Sequence, residues 1–217
     1  MPYLLMGSDE EAKERGDEWM SLGKMDIEIF KGRVISSGFN SGDMVVIGDW
    51  RDSPYGAFTN LMWAKPDGTR VLIAPSKDLG DFVSSLYSFD EVIVSSLDIK
   101  RTEKSIEVNC DLGRISMQWG VTVPIPFSRP HWFIANVEAP FARLFFGTKT
   151  HGITRNGRKE WYHVRGFARM KSVGLELDGR ISNQMTDISP SACFGFSNPP
   201  RMPLSVRVDS HISTAES

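Results

Sequence analysis

Short apolar runs broken by polar turns dominate the chain. From Met44 to Pro75 they read as strand, loop, strand, turn, strand. Residues 44–48 are a β-branched run, 49–56 a polar and aromatic loop, and 58–64 a second strand. Pro66-Asp67-Gly68 makes a turn, and 70–74 is a third strand. Upstream, Met25, Ile27 and Ile29 alternate with Asp26, Glu28 and Phe30, which predicts a strand that Lys31-Gly32 turns toward Val34-Ile35. Downstream, Leu79, Phe82, Val83, Leu86 and Tyr87 fall at helical spacing behind Ser76. That pattern predicts a short amphipathic helix capped by the serine.

Strands follow at 90–99, 105–110 and 114–123. The last two form a hairpin in which Ile106, Val108 and Cys110, then Ile115, Met117, Trp119 and Val121, alternate with polar residues around Asp111-Leu112-Gly113. Residues 128–146 are mostly apolar, and Pro140 divides them into two short helices, 131–138 and 140–146, with Gly147 as the C-cap. Such a segment covers a sheet or, as the alternative, meets a membrane surface. A second hairpin spans 148–154, Asn156-Gly157 and 158–170, and Val173, Leu175 and Leu177 alternate before Asp178-Gly179.

The two ends differ from this middle. At 8–20, Ser8 and Glu11 form a capping-box pattern for a short helix that Gly16 interrupts. From Ser182 onward eight serines and four prolines fall within the last 36 residues, and only Leu204, Val206 and Val208 resemble a strand. The expectation is an N-terminal segment (1–24), one β-rich domain (25–181) and an extended or disordered tail (182–217). With eight or nine strands and turns at short intervals, the fold expected is a mainly β, closed or nearly closed antiparallel β-barrel with a few short covering helices. The alternative is a β-sandwich.

Composition narrows the function classes. The chain has 217 residues, 41% hydrophobic and 24% charged, enough to build a core. A formal charge of −2 offers no concentrated basic face, so nucleic acid is not an expected partner. Cys110 and Cys193 stand far apart, without metal-like or redox-like spacing, and read as free thiols in a reducing compartment. The sequence beginning Met1-Pro2-Tyr3 lacks a basic n-region, and no 18-residue apolar stretch occurs. The expected location is cytoplasmic, with no integral membrane segment.

Two stretches carry candidate chemistry. The loop 49–56 gathers Asp49, Trp50, Arg51, Asp52 and Tyr55. Arg51 offers a planar fork that can clamp a carboxylate bidentately, with Tyr55 donating beside it, whereas an ordinary salt bridge from Arg51 to Asp49 or Asp52 is the plainer alternative. The strand 160–170 places Trp161, His163, Arg165, Phe167 and Arg169 on one face, a mixture that suits a cavity lining or a homo-oligomer interface. The candidate ligand-binding set is therefore Arg51, Tyr55, Trp119, Trp161 and Arg165, with Asp52 and His163 as candidate acid or base. His131, His151, His163 and His211 show no metal-ligand spacing. No nucleophile elbow, phosphate loop or dinucleotide fingerprint is present, so no metal and no cofactor is expected.

The segment Ser53-Pro54-Tyr55-Gly56-Ala57-Phe58-Thr59, followed by a strand and a Gly-containing turn, resembles the strand entry of the acetoacetate-decarboxylase-like family over roughly Gly48 to Pro75. The resemblance implies a β-barrel built around a cavity. Some members of that family use a Schiff-base lysine, but its Gly-Phe-Pro-Lys segment has no counterpart here, where the chain continues Asp78-Leu79-Gly80-Asp81-Phe82. The function expected is the binding of a small, partly apolar, acidic ligand. The alternatives are a lyase-like enzyme acting on a small carboxylic acid in the same cavity, and a protein-interaction module using the aromatic segment 132–146.

Overall fold

Alternation of apolar residues drives the chain into a sheet that folds over its own core. The computed structural model describes residues 26–125, 151–189, 194–196 and 198–216. The expected helices at 8–20, 131–138 and 140–146 lie outside the described residues, as does Cys193; Cys110 is a half-buried free thiol.

The first strands are β1 (Ile27–Phe39), β2 (Met44–Asp52), β3 (Phe58–Ala64) and β4 (Arg70–Ala74), each antiparallel to the one before. Two boundaries depart from expectation. Lys31-Gly32 is not a turn: β1 runs on through it, and the register against β2 shifts there as a β-bulge. A Cβ on Gly32 would stand 2.1 Å from the Asp49 carbonyl oxygen, so only glycine lets the two backbones approach so closely. Asp49 to Asp52 likewise belong to β2 rather than to a loop, because Trp50 and Asp49 pair with Phe58 and Thr59 of β3.

Helix α1 (Lys77–Leu86) starts where Ser76 accepts the Leu79 amide at 3.3 Å and buries Gly80, Val83 and Leu86. It carries the chain to β5 (Glu91–Val94), which lies parallel to β4. The single expected strand at 90–99 is in fact two: β6 (Asp98–Arg101) pairs instead with β7 (Ser105–Cys110), and β7 with β8 (Gly113–Trp119). Short β9 (Val123–Pro124) and β10 (His151–Ile153) both pair with β11 (Arg158–Leu177), a 20-residue strand that absorbs the separately expected run at 173–177.

Beyond β12 (Arg180–Ser182) and β13 (Met185–Thr186), β14 (Leu204–Glu216) corrects the expectation for the tail. It pairs antiparallel with β1 on one side and β11 on the other, so it is a central strand. Its inward residues Leu204, Val208 and Ile212 are buried. The serines that suggested disorder, Ser205, Ser210 and Ser213, are buried as well.

The strands run in the order β5-β4-β3-β2-β1-β14-β11-β8-β7-β6. The sheet is mainly antiparallel but mixed, and its two end strands, β5 and β6, are not hydrogen-bonded to each other, so hydrogen bonding does not close it as a barrel. One core cluster nonetheless takes Ile35, Ile47, Trp63 and Ile73 from one half and Ile106, Ile115, Met117 and Leu175 from the other. The sheet therefore curls until both halves share one apolar interior.

Candidate functional site

Where β1, β2 and β14 approach the β6–β8 region, the surface opens into a cleft of about 430 Å3. Its floor includes Ile106 and Trp119, and five cationic side chains, Lys31, Arg33, Arg51, Arg101 and Arg207, line it against the carboxylates of Asp49, Glu103 and Asp209.

The central strands set the spacing. Arg33 on β1 pairs directly with Arg207 on β14 and, across its other edge, with Asp49 on β2. Arg33 is half-buried and donates to Ser205 Oγ at 2.9 Å and Thr122 Oγ1 at 3.2 Å. Its guanidinium lies 5.1 Å from the Trp119 ring centroid. Burial, and then the nearby Arg207 charge, push the Arg33 pKa down. Neither Arg33 nor Arg207 has a carboxylate within 4 Å among the described residues.

The other charges are largely matched. Asp49, nearly buried, accepts from Thr59 Oγ1 at 2.8 Å and Arg101 Nε at 2.9 Å, and Arg101 also reaches Thr59. Arg51 approaches Asp49 only to 3.8 Å and keeps 61% of its side chain exposed. Lys31 donates to Asp52 at 2.9 Å, and that hydrogen bond raises its pKa. Arg165 donates to Asp209 at 2.7 Å. Trp119 is only 3% exposed, and its Nε1–H has no acceptor among the described residues.

Of the side chains expected at a site, Arg51 and Trp119 line this cleft, and Asp52 and Arg165 touch it through Lys31 and Asp209. Tyr55 does not line it. Its ring packs 4.4 Å from Phe82 and 6.1 Å from Phe30, in a cluster that joins the 53–57 loop to α1. Trp161 is buried on β11, in register with His151 and His211, and His163 is buried with its ring stacked 4.0 Å from His211; neither lines the cleft. Sequence reasoning missed Arg33, Arg101 and Arg207. Arg33 was hidden by reading Lys31-Gly32 as a turn. Arg207 had a usable signal, because the alternation of Leu204, Val206 and Val208 sets it on the opposite face of a strand.

A second polar cluster lies inside the molecule. Glu160 on β11 is 1% exposed and has no cation within ion-pair distance among the described residues. Its carboxyl accepts from Tyr87 Oη at 2.8 Å and Ser210 Oγ at 2.6 Å. Tyr87 Oη also lies 2.8 Å from Tyr162 Oη. Burial pushes the Glu160 pKa up, against the hydroxyl donors, and drives both tyrosines well above the ordinary phenol value. Among the described residues no three His, Cys, Asp or Glu side chains converge as a metal site, and no helix is long and apolar enough to cross a membrane.

No protein-family model matches the chain, and no curated protein matches it. Among solved structures, it is similar to the crystal structure of acetoacetate decarboxylase from Legionella pneumophila, at 10% identity and a TM-score of 0.37, over 86% of this chain and 84% of that one. The resemblance is weak.

Proposed function

We propose that this protein binds a small, partly apolar organic anion in the Arg33–Arg207 cleft, at the mouth of a barrel-like sheet. The observation that carries the reading is the cross-strand pair Arg33 and Arg207, both lining the cleft and neither matched by a carboxylate among the described residues. Like charges directly opposite each other on antiparallel strands are destabilising by a few tenths to about 1 kcal/mol. An anion between them converts that repulsion into charge-assisted hydrogen bonds. Trp119 and Ile106 supply apolar surface for the remainder of such a ligand.

Binding is favoured over turnover by the state of Lys31. A Schiff-base lysine needs a depressed pKa, whereas Asp52 holds Lys31 as the ammonium. Asp52, exposed and occupied by Lys31, is likewise poorly set up as a general base.

The test is a thermal-shift titration with benzoate against the parent and Arg207→Gln. Benzoate at 100 times its dissociation constant stabilises the parent by about 2.7 kcal/mol, and the same concentration stabilises the variant far less. Equal stabilisation of both proteins places the ligand elsewhere and overturns the reading.

A further inference from the structure

Three ion pairs account for most of the charge in and around the cleft: Lys31 with Asp52, Arg165 with Asp209, and Arg101 with Asp49. What remains among the described lining residues is Arg33, Arg207 and the loosely held Arg51 against Glu103, with Asp49 and, more weakly, Glu103 acting on Arg33 from a distance. The leftover is two positive charges. A single carboxylate between Arg33 and Arg207 would leave one of them unmatched in a site where Arg33 is already half-buried and stacked on an indole. Charge matching in a partly desolvated cleft favours a ligand whose charge equals the excess, because an uncompensated guanidinium there keeps its desolvation cost.

We infer that the ligand is a dianion, a dicarboxylate or a phosphate monoester on a small apolar body, with the facing Arg33 and Arg207 as its principal clamp. This rests on the anion-binding reading of the same cleft. The buried indole N–H of Trp119, which has no acceptor among the described residues, lies in the wall beneath Arg33 and adds to the donor excess on this side of the sheet. A phosphate monoester offers terminal oxygens to two guanidinium forks at once, and a vicinal dicarboxylate offers one carboxylate to each.

Isothermal titration at pH 8 and fixed ionic strength with benzoate, phthalate and phenyl phosphate tests this on the full chain. The expected result is that at least one dianion binds the parent about tenfold or more tightly than benzoate, and that Arg207→Gln removes most of that advantage. An advantage for phenyl phosphate alone identifies a phosphate ligand, and one for phthalate alone a dicarboxylate. Equal affinities for all three compounds overturn the dianion while leaving the anion cleft standing. An advantage that persists undiminished in Arg207→Gln also overturns it, since the extra charge is then read by other residues. Binding of none of the three overturns both the dianion and the cleft reading beneath it.

Discussion

Arg33 and Arg207 stand opposite each other on neighbouring antiparallel strands, where like charges disfavour the fold. In the absence of ligand, Arg207→Gln should therefore leave the urea midpoint unchanged or slightly raised, even as it weakens anion binding. A clear loss of stability would mean that Arg207 holds the strand rather than a ligand. Glu160 shows a different use of a charged residue type. Its folded pKa is raised by burial above the ordinary value of 4.5, so the stability it confers is fully present below about pH 4.5 and declines as pH rises through the raised value. Glu160→Gln keeps the shape and an acceptor but removes the titration. Denaturation midpoints measured upward from about pH 5 should fall more steeply in the parent than in the variant. The exposed Asp90, held by Arg70 at a pKa of about 2, loses its contribution only as pH falls below its ordinary 3.8, outside that window. Parallel pH profiles for the two proteins would show that Glu160 is ionised throughout. None of these roles was legible from the sequence alone, because register and burial give Arg33, Arg207 and Glu160 their environments, and the sequence fixes neither across 40 to 170 intervening positions.

Local pattern was a better guide to elements than to their ends. The bounds 58–64, 70–74 and 105–110 are the strands β3, β4 and β7, and Ser76 caps α1 as its spacing implies. Errors fell where a local cue had two meanings. Lys31-Gly32 reads as a turn but is a bulge, since β1 is held on both edges and a glycine merely lets it kink. The serines of 204–216 read as a loose tail, yet they are buried between two long strands that satisfy their backbone. A chain ending at Pro203 would lose the strand that joins β1 to β11. It should fail to fold cooperatively, with near-UV circular dichroism and a sharp melting transition both absent. A truncated protein that melts within a few degrees of the parent would remove β14 from the core of the fold.

Across the molecule, the curled sheet brings β1, β2 and β14 against the β6–β8 region, and only this long-range arrangement assembles the cleft from residues 31 to 209. The sequence supported a mainly β fold and one correct cleft residue on each side, Arg51 and Trp119. It offered no means of seeing that the end strands, β5 and β6, are not hydrogen-bonded to each other, because hydrogen-bonded closure is decided by twist and register rather than by alternation. The central claim is that an organic anion sits between Arg33 and Arg207. A crystal structure of the protein soaked with 4-bromobenzoate tests it most directly, since the bromine locates the ligand by its anomalous signal. The account predicts a carboxylate within hydrogen-bond distance of both guanidinium groups, with the ring over Trp119 and Ile106. A bromine peak at any other site, with the cleft between Arg33 and Arg207 empty, would contradict it.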